Sequence, residues 1–157
     1  MPVVDALRAR FGDAILDAAE AMRGDPSVTV RADKALAAAY ALRDEHSFDL
    51  MSDATAIDGL NLGHSPRFTA IWNLYDSTHN QKLRLRVPAS GGDTPKVPSL
   101  TPVWAGANWM EREAFDLLGI RYDGHPDPVS YTHLRAHETV LDLVCRLLLE
   151  KTKNTMQ

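Results

Sequence analysis

Apolar side chains recur at helical steps over the first part of the chain. Val4, Leu7, Phe11, Ala14, Ile15, Ala18 and Met22 follow one another at mostly three- and four-residue intervals. That spacing lines one face of a helix and predicts one over residues 3–22. Gly24-Asp25-Pro26 would stop it. Val28-Thr29-Val30 reads as a short strand. Asp33 can cap a second helix running to about Asp44, whose apolar side would use Leu36, Ala39, Tyr40 and Leu42.

From there the hydrophobic period shortens. Strand candidates follow in series, Phe48 to Ile57, Arg67 to Tyr75 and Gln81 to Val87, the last two joined by Asp76-Ser-Thr-His-Asn80, a polar turn of hairpin length. In the third, Leu83, Leu85 and Val87 alternate with Lys82, Arg84 and Arg86, so one face is apolar and the other cationic. Pro88 to Pro98 forms a Gly/Pro-rich loop, and Thr101-Pro102 supplies a cap residue and a first-turn proline for a last helix. Its core side would be Val103, Ala107, Met110, Ala114 and Leu117, with Gly119 in the left-handed position past its end. The order αβαβββα is met most economically by an α+β, two-layer domain, its helices packed on a mixed, largely antiparallel sheet.

Charge and composition narrow the chemistry. Over all 157 residues the net charge is −4. Residues 1–127 carry 13 Lys+Arg and 18 Asp+Glu, hence −5. A general polyanion binder would show a strongly basic surface. The single cysteine, Cys145, cannot furnish the four thiolates an iron–sulfur cluster normally takes. No apolar run approaches the ~20 residues that span a bilayer, and no basic region followed by an apolar core opens the chain. Glu111 and Glu113 stand two apart on the last helix, which points them to nearly opposite sides and argues against a shared acid/base site. The spacing instead sets a stripe of Asn108, Arg112 and Asp116 beside one of Trp104, Asn108, Glu111 and Phe115. Such a polar and aromatic face has the composition of a partner contact. Gly124-His125-Pro126-Asp127 is read as a rigid turn rather than a histidine–aspartate catalytic pair, because no nucleophile stands at a recognisable spacing.

The run ANWMEREAFDLLGIRYDGHPD, from Ala107 to Asp127, together with Val97-Pro-Ser-Leu-Thr-Pro-Val-Trp104 upstream, resembles the signature of one protein family, the C subunit of NADH-quinone oxidoreductase, which sits in the peripheral arm of respiratory complex I. The resemblance implies a non-catalytic scaffold subunit in a complex that passes electrons from NADH through FMN and iron–sulfur clusters to quinone. Those cofactors would lie on other subunits; this chain would bind neither cofactor nor metal. Its partners would be the neighbouring D and B subunits. The residues carrying the signature and the interface would be Trp104, Asn108, Trp109, Glu111, Arg112, Glu113, Phe115, Asp116, Gly124, His125, Pro126 and Asp127. The location implied is peripheral, on the cytoplasmic face of a bacterial inner membrane or, alternatively, the mitochondrial matrix side.

Past Asp127 the resemblance stops, and the basic segment and PLRKDY-type tail that follow in the family are missing. Val129 to Thr139, VSYTHLRAHET, reads as one frame of a translated sequencing adapter, and Asp142 to Lys151 as that adapter's end. Residues 1–127 are therefore taken as the truncated domain of the complex I family and 128–157 as a tail without a functional domain. Two other functions draw on different residues. A histidine- or metal-dependent hydrolase would use His125, Asp127, His133 and His137 and needs the tail to be genuine. A nucleic-acid-binding sheet would use Lys82, Arg84, Arg86, Trp72 and Tyr75. Amplification of the locus from genomic DNA should yield an arginine-rich segment after Asp127; recovery of the His133 to His137 codons from uncloned DNA would show the tail to be genuine.

Overall fold

The computed structural model describes residues 2–19, 25–60, 66–92 and 94–126. The elements are α1 (Pro2–Phe11), a 3-10 turn (Gly12–Ala14), β1 (Ile15–Ala19), β2 (Ser27–Val30), α2 (Ala32–His46), β3 (Leu50–Asp58), β4 (Phe68–Asp76), β5 (Gln81–Pro88), β6 (Lys96–Pro98), α3 (Ala107–Leu118) and β7 (Arg121–Asp123). Five strands form the main sheet in the order β1-β2-β5-β4-β3, and β6 and β7 form a second, two-stranded one. Only β2 and β5 run parallel in the main sheet. The mixed, largely antiparallel two-layer α+β architecture is the one the sequence predicts.

Alternation along the strands decides which face is covered. Val28 on β2 stands beside Leu85, Leu85 beside Trp72 and Trp72 beside Ala54, so one row of apolar side chains crosses four strands. Leu74 and Leu83 form the next row, and all of these join one core with Val4 and Leu7 of α1, Ala35 and Leu42 of α2 and Ala107 of α3. Trp72 is completely buried, and burying a side chain of that size stabilises by roughly 1.5–3 kcal/mol relative to leaving it exposed. α2 reaches the sheet through alanines: Ala35, Ala38, Ala39 and Ala41 are buried beside Leu42.

Three elements differ from the sequence expectation. The first helix ends at Phe11, where Gly12 takes a φ of +47°, and Ile15–Ala19 is a strand paired antiparallel with β2. Its register slips between Ile15 and Asp17. The extra residue of this bulge makes Ile15 and Ala18, three apart, both pack on the core, while Leu16 stays 53% exposed. A bulged strand thus mimics the three-residue step of a helix. The remainder of that expected helix, from Glu20 through the Gly24 stop, lies outside the described residues. In α2, Asp33 is not the cap: Arg31 occupies that position without a side-chain cap, and Asp33 pairs with the Arg31 guanidinium. Tyr40 is not core either, being 36% exposed beneath the Arg43 guanidinium. The stretch Pro88–Pro98 ends in β6 rather than being loop throughout.

The β4–β5 turn is built around one carboxylate. Asp76 accepts the backbone N–H groups of Thr78 at 2.8 Å and His79 at 3.1 Å, and its other oxygen meets His79 Nδ1 at 2.7 Å. Burial pushes the Asp76 carboxyl up, but the hydrogen bonds from His79 and Thr78 outweigh it and leave the group below its ordinary value. A depressed carboxyl contributes stability that is present above its unfolded value of ~3.9 and is lost as pH falls through the folded one. Asp76→Asn should therefore lower stability to denaturant at pH 7, and the difference from wild type should shrink between pH 4 and pH 2; a constant difference would remove the charge from the explanation.

Candidate partner-binding site

The segment that carries the signature is organised by Glu111. Its side chain is completely buried on α3. Oε1 accepts the Leu100 N–H at 2.8 Å and the Trp72 indole N–H at 3.3 Å. Oε2 accepts the Ser99 hydroxyl at 2.6 Å and the Thr101 hydroxyl at 3.3 Å. One carboxylate thereby joins α3, strand β4 and the loop after β6. Burial raises its pKa, opposed by the hydrogen bonds from Ser99, Leu100 and Trp72 and by nearby His125. Burial likewise raises the Tyr122 hydroxyl, and the charge of Glu111 adds to it.

That carboxylate also explains where the helix departs from the apolar pattern. The buried positions are Ala107, Glu111 and Ala114, with Leu118 partly covered, a stripe turned by one residue from the expected one. Leu117 is consequently 56% exposed rather than core, and Met110 is only partly buried, its sulfur receiving the Ala54 N–H at 3.1 Å. The helix starts at Ala107 and not at Thr101-Pro102. Val103 and Trp104 both donate their N–H groups to Leu100 O at 2.9 Å, closing a separate turn. Trp104 then leaves the helical path to bury its ring, donating Nε1–H to Phe48 O at 3.1 Å. Gly119 does take the left-handed position, with φ +72°, its N–H donating to Phe115 O.

The expected face therefore separates into two sets. Trp104 and Glu111 belong to the core, whereas Trp109, 53% exposed, and Phe115, 36% exposed, point outward. The Arg112 guanidinium stacks over the Trp109 ring, 5.1 Å from its centroid. Glu113 is exposed, and Asn108 and Asp116 are half-buried. After β7 the chain turns at Gly124, whose φ is +82°. His125 N–H donates to Tyr122 O, and its Nε2–H donates to Asn108 O at 3.2 Å, fastening the turn to the first turn of α3. Pro126 is exposed, and Asp127 lies outside the described residues. Ser99 and Tyr122 escape the sequence reading, and Thr101 and Trp72, read there as a helix cap and a sheet aromatic, are instead partners of Glu111. The 107, 111, 114 spacing that places Glu111 among core positions was the available signal.

Among the described residues neither of the other two functions finds its full set of side chains together. Trp72 faces the core on the side of the sheet opposite Lys82, Arg84 and Arg86, and of the two aromatic residues only Tyr75, beside Lys82, shares their face. Among the described residues no three of His, Cys, Asp and Glu are placed to hold a metal ion. His133 and His137 lie outside the described residues.

The family model for the respiratory-chain NADH dehydrogenase 30 kDa subunit matches residues 28–139. This chain belongs to that family. The C subunit of the NADH-quinone oxidoreductase of Geotalea uraniireducens is 38% identical over 121 residues, covering 77% of this chain and 71% of the relative. Its counterpart in Acidithiobacillus ferrooxidans is 42% identical over 133 residues, covering 79% and 65%, and that of Cupriavidus taiwanensis 43% identical over 128 residues, covering 78% and 64%. The chain thus spans about two-thirds of the length of these relatives. Among solved structures, a trypsin-resistant fragment of Nqo5, residues 1–134, shares the fold with a TM-score of 0.67 at 23% identity, over 81% of this chain and 99% of that one. A chain of an archaeal membrane-bound sulfane sulfur reductase matches at a TM-score of 0.63 and 18% identity, over 79% and 70%. No helix among the described residues of this member of the 30 kDa family is long and apolar enough to cross a membrane.

Removing the Glu111 carboxylate strands four donors from two segments at once. Glu111→Ala should destabilise the domain by about 3 kcal/mol or more, since each buried donor left unsatisfied costs about 1–3 kcal/mol. Glu111→Gln should be milder. Because burial raises the Glu111 carboxyl, its ionisation opposes folding, and the stability carried by its protonated form is lost as pH rises through the folded value. The stability of wild type relative to Glu111→Gln should therefore fall as pH rises past the ordinary glutamate value of ~4.3, read from urea unfolding at pH 4 and pH 7.

Proposed function

We propose that this chain is a cofactor-free scaffold subunit of the NADH:quinone oxidoreductase, holding its neighbours in register through the outer face of α3 and the Gly124–Pro126 turn. The complex passes electrons from NADH through FMN and iron–sulfur clusters, carried by other subunits, to quinone. The observation that carries the proposal is the exposed Trp109 ring with Arg112 stacked on it beside exposed Phe115, in a chain whose relatives are subunits of that enzyme. Trp and Arg are the side chains most enriched where interfaces concentrate their binding energy. Asn108, Glu113, Asp116 and His125 border this face. Trp104 and Glu111 support it from the core.

The partners proposed are the D and B subunits, and the location is the cytoplasmic face of a bacterial inner membrane, peripheral through the complex. Residues 1–127 would form the folded unit that docks, and residues 128–157 would take no part. Arg112→Glu should leave the chain folded, because a charge change on a helix surface usually costs little, yet weaken capture by the D subunit by roughly 2–5 kcal/mol, the usual cost of an unpaired interfacial charge. Circular dichroism and calorimetric titration with that partner would check both halves; unchanged affinity would remove Arg112 from the interface.

A further inference from the structure

We propose that the cavity between α3 and β7 is a docking pocket for a segment of a neighbouring subunit that presents an apolar side chain together with a carboxylate. This builds on the scaffold function proposed above and specifies what the partner offers. The cavity encloses about 370 Å³, with Glu111 at its floor, Phe115 and Tyr122 as walls, and Arg112, Arg121 and His125 around it. Its size is near the lower end of ligand pockets and suits a side chain better than a nucleotide-sized cofactor.

The hydrogen-bonding inventory indicates what is missing. Both oxygens of Glu111 are occupied, each by two donors from the protein itself, so the floor has no acceptor to offer a cationic ligand. The walls offer donors. Among the described residues neither the Tyr122 hydroxyl nor the Arg121 guanidinium has an acceptor, and burial with the charge of Glu111 keeps that hydroxyl protonated. Asp123, the other carboxylate lining the cavity, makes no ion pair with Arg121 among the described residues. A guanidinium and a phenol beside an aromatic wall are completed by a carboxylate carried on an apolar group, and charge-assisted hydrogen bonds of this kind are the stronger ones. Arg112 and Phe115 line the cavity and also belong to the exposed face with Trp109, so a chain seated on that face reaches the pocket without a break.

The test uses the full chain and 3-phenylpropionate as probe, followed by calorimetry and by the amide resonances of Gly124 and His125. The acid should bind saturably, with 3-phenylpropionamide at least tenfold weaker. Tyr122→Phe, which keeps the ring, and Arg121→Gln, at an exposed position, should each weaken it severalfold, while Arg84→Gln on the far face of the sheet should not. Equal binding of acid and amide, or no saturable binding, would overturn the pocket even if Arg112→Glu still weakened capture by the D subunit. Probe left in place when the D subunit is added in excess would overturn the docking assignment in favour of a free small carboxylate.

Discussion

The buried carboxylate of Glu111 is the constraint on which the carboxyl-terminal half of the described fold depends. An ionised group taken out of water is costly unless hydrogen bonds replace its hydration. Here the replacement comes from a backbone N–H, two hydroxyls and an indole, contributed by residues 99–101 and by β4. Trp72 lies far in sequence from residues 99–101, so the chain satisfies the carboxylate only by bringing the loop after β6, the centre of the sheet and α3 together. Once Glu111 faces inward, helical geometry leaves no choice for the residues around it. Trp109, two residues before it, must face out, and Arg112 lies over the Trp109 ring.

The sheet supplies the opposite kind of constraint, apolar and non-directional. Its covered face is one continuous row system from Val28 to Ala54, sealed by the alanines of α2 and by α1 and α3. Its other face carries the cationic positions of β5. Arg84 bonds the Asn73 side chain, which in turn bonds Asp53, and Asp25 approaches Arg84 at 3.8 Å. Arg84 is thus met within the domain, whereas Arg86 Nε is buried without a hydrogen-bond partner. The outward aromatic and arginine groups of α3 differ from this arrangement, since the Trp109 ring remains half exposed with Arg112 laid over it. That contrast distinguishes the outer side of α3 from the open face of the sheet.

Sequence by itself determined what short-range periodicity encodes. Strict alternation in Leu83, Leu85 and Val87 against Lys82, Arg84 and Arg86 assigned β5, its buried face and its hairpin with β4, because a strand's side chains alternate whatever it packs against. The left-handed Gly119 and the Gly124 turn were legible for the same local reason: their backbone conformations select glycine. The family was legible from the density of matched positions between Ala107 and Asp127. Tertiary structure decided the rest. Ile15 and Ala18 obey a helical step, but pairing with β2 through a bulge makes them strand, and no pattern within the segment records its partner. Thr101-Pro102 carries signals shared by helix starts and turns, and the burial of Trp104 selects the turn. β6 and β7, three residues each, are too short to carry a period and exist because each pairs with the other. Leu117 and Glu111 exchange their expected environments for a physical reason: a leucine exposed at a helix end forgoes a modest burial gain, whereas Glu111 inside meets four donors from segments that come together only in the folded chain, which offset much of the cost of its burial.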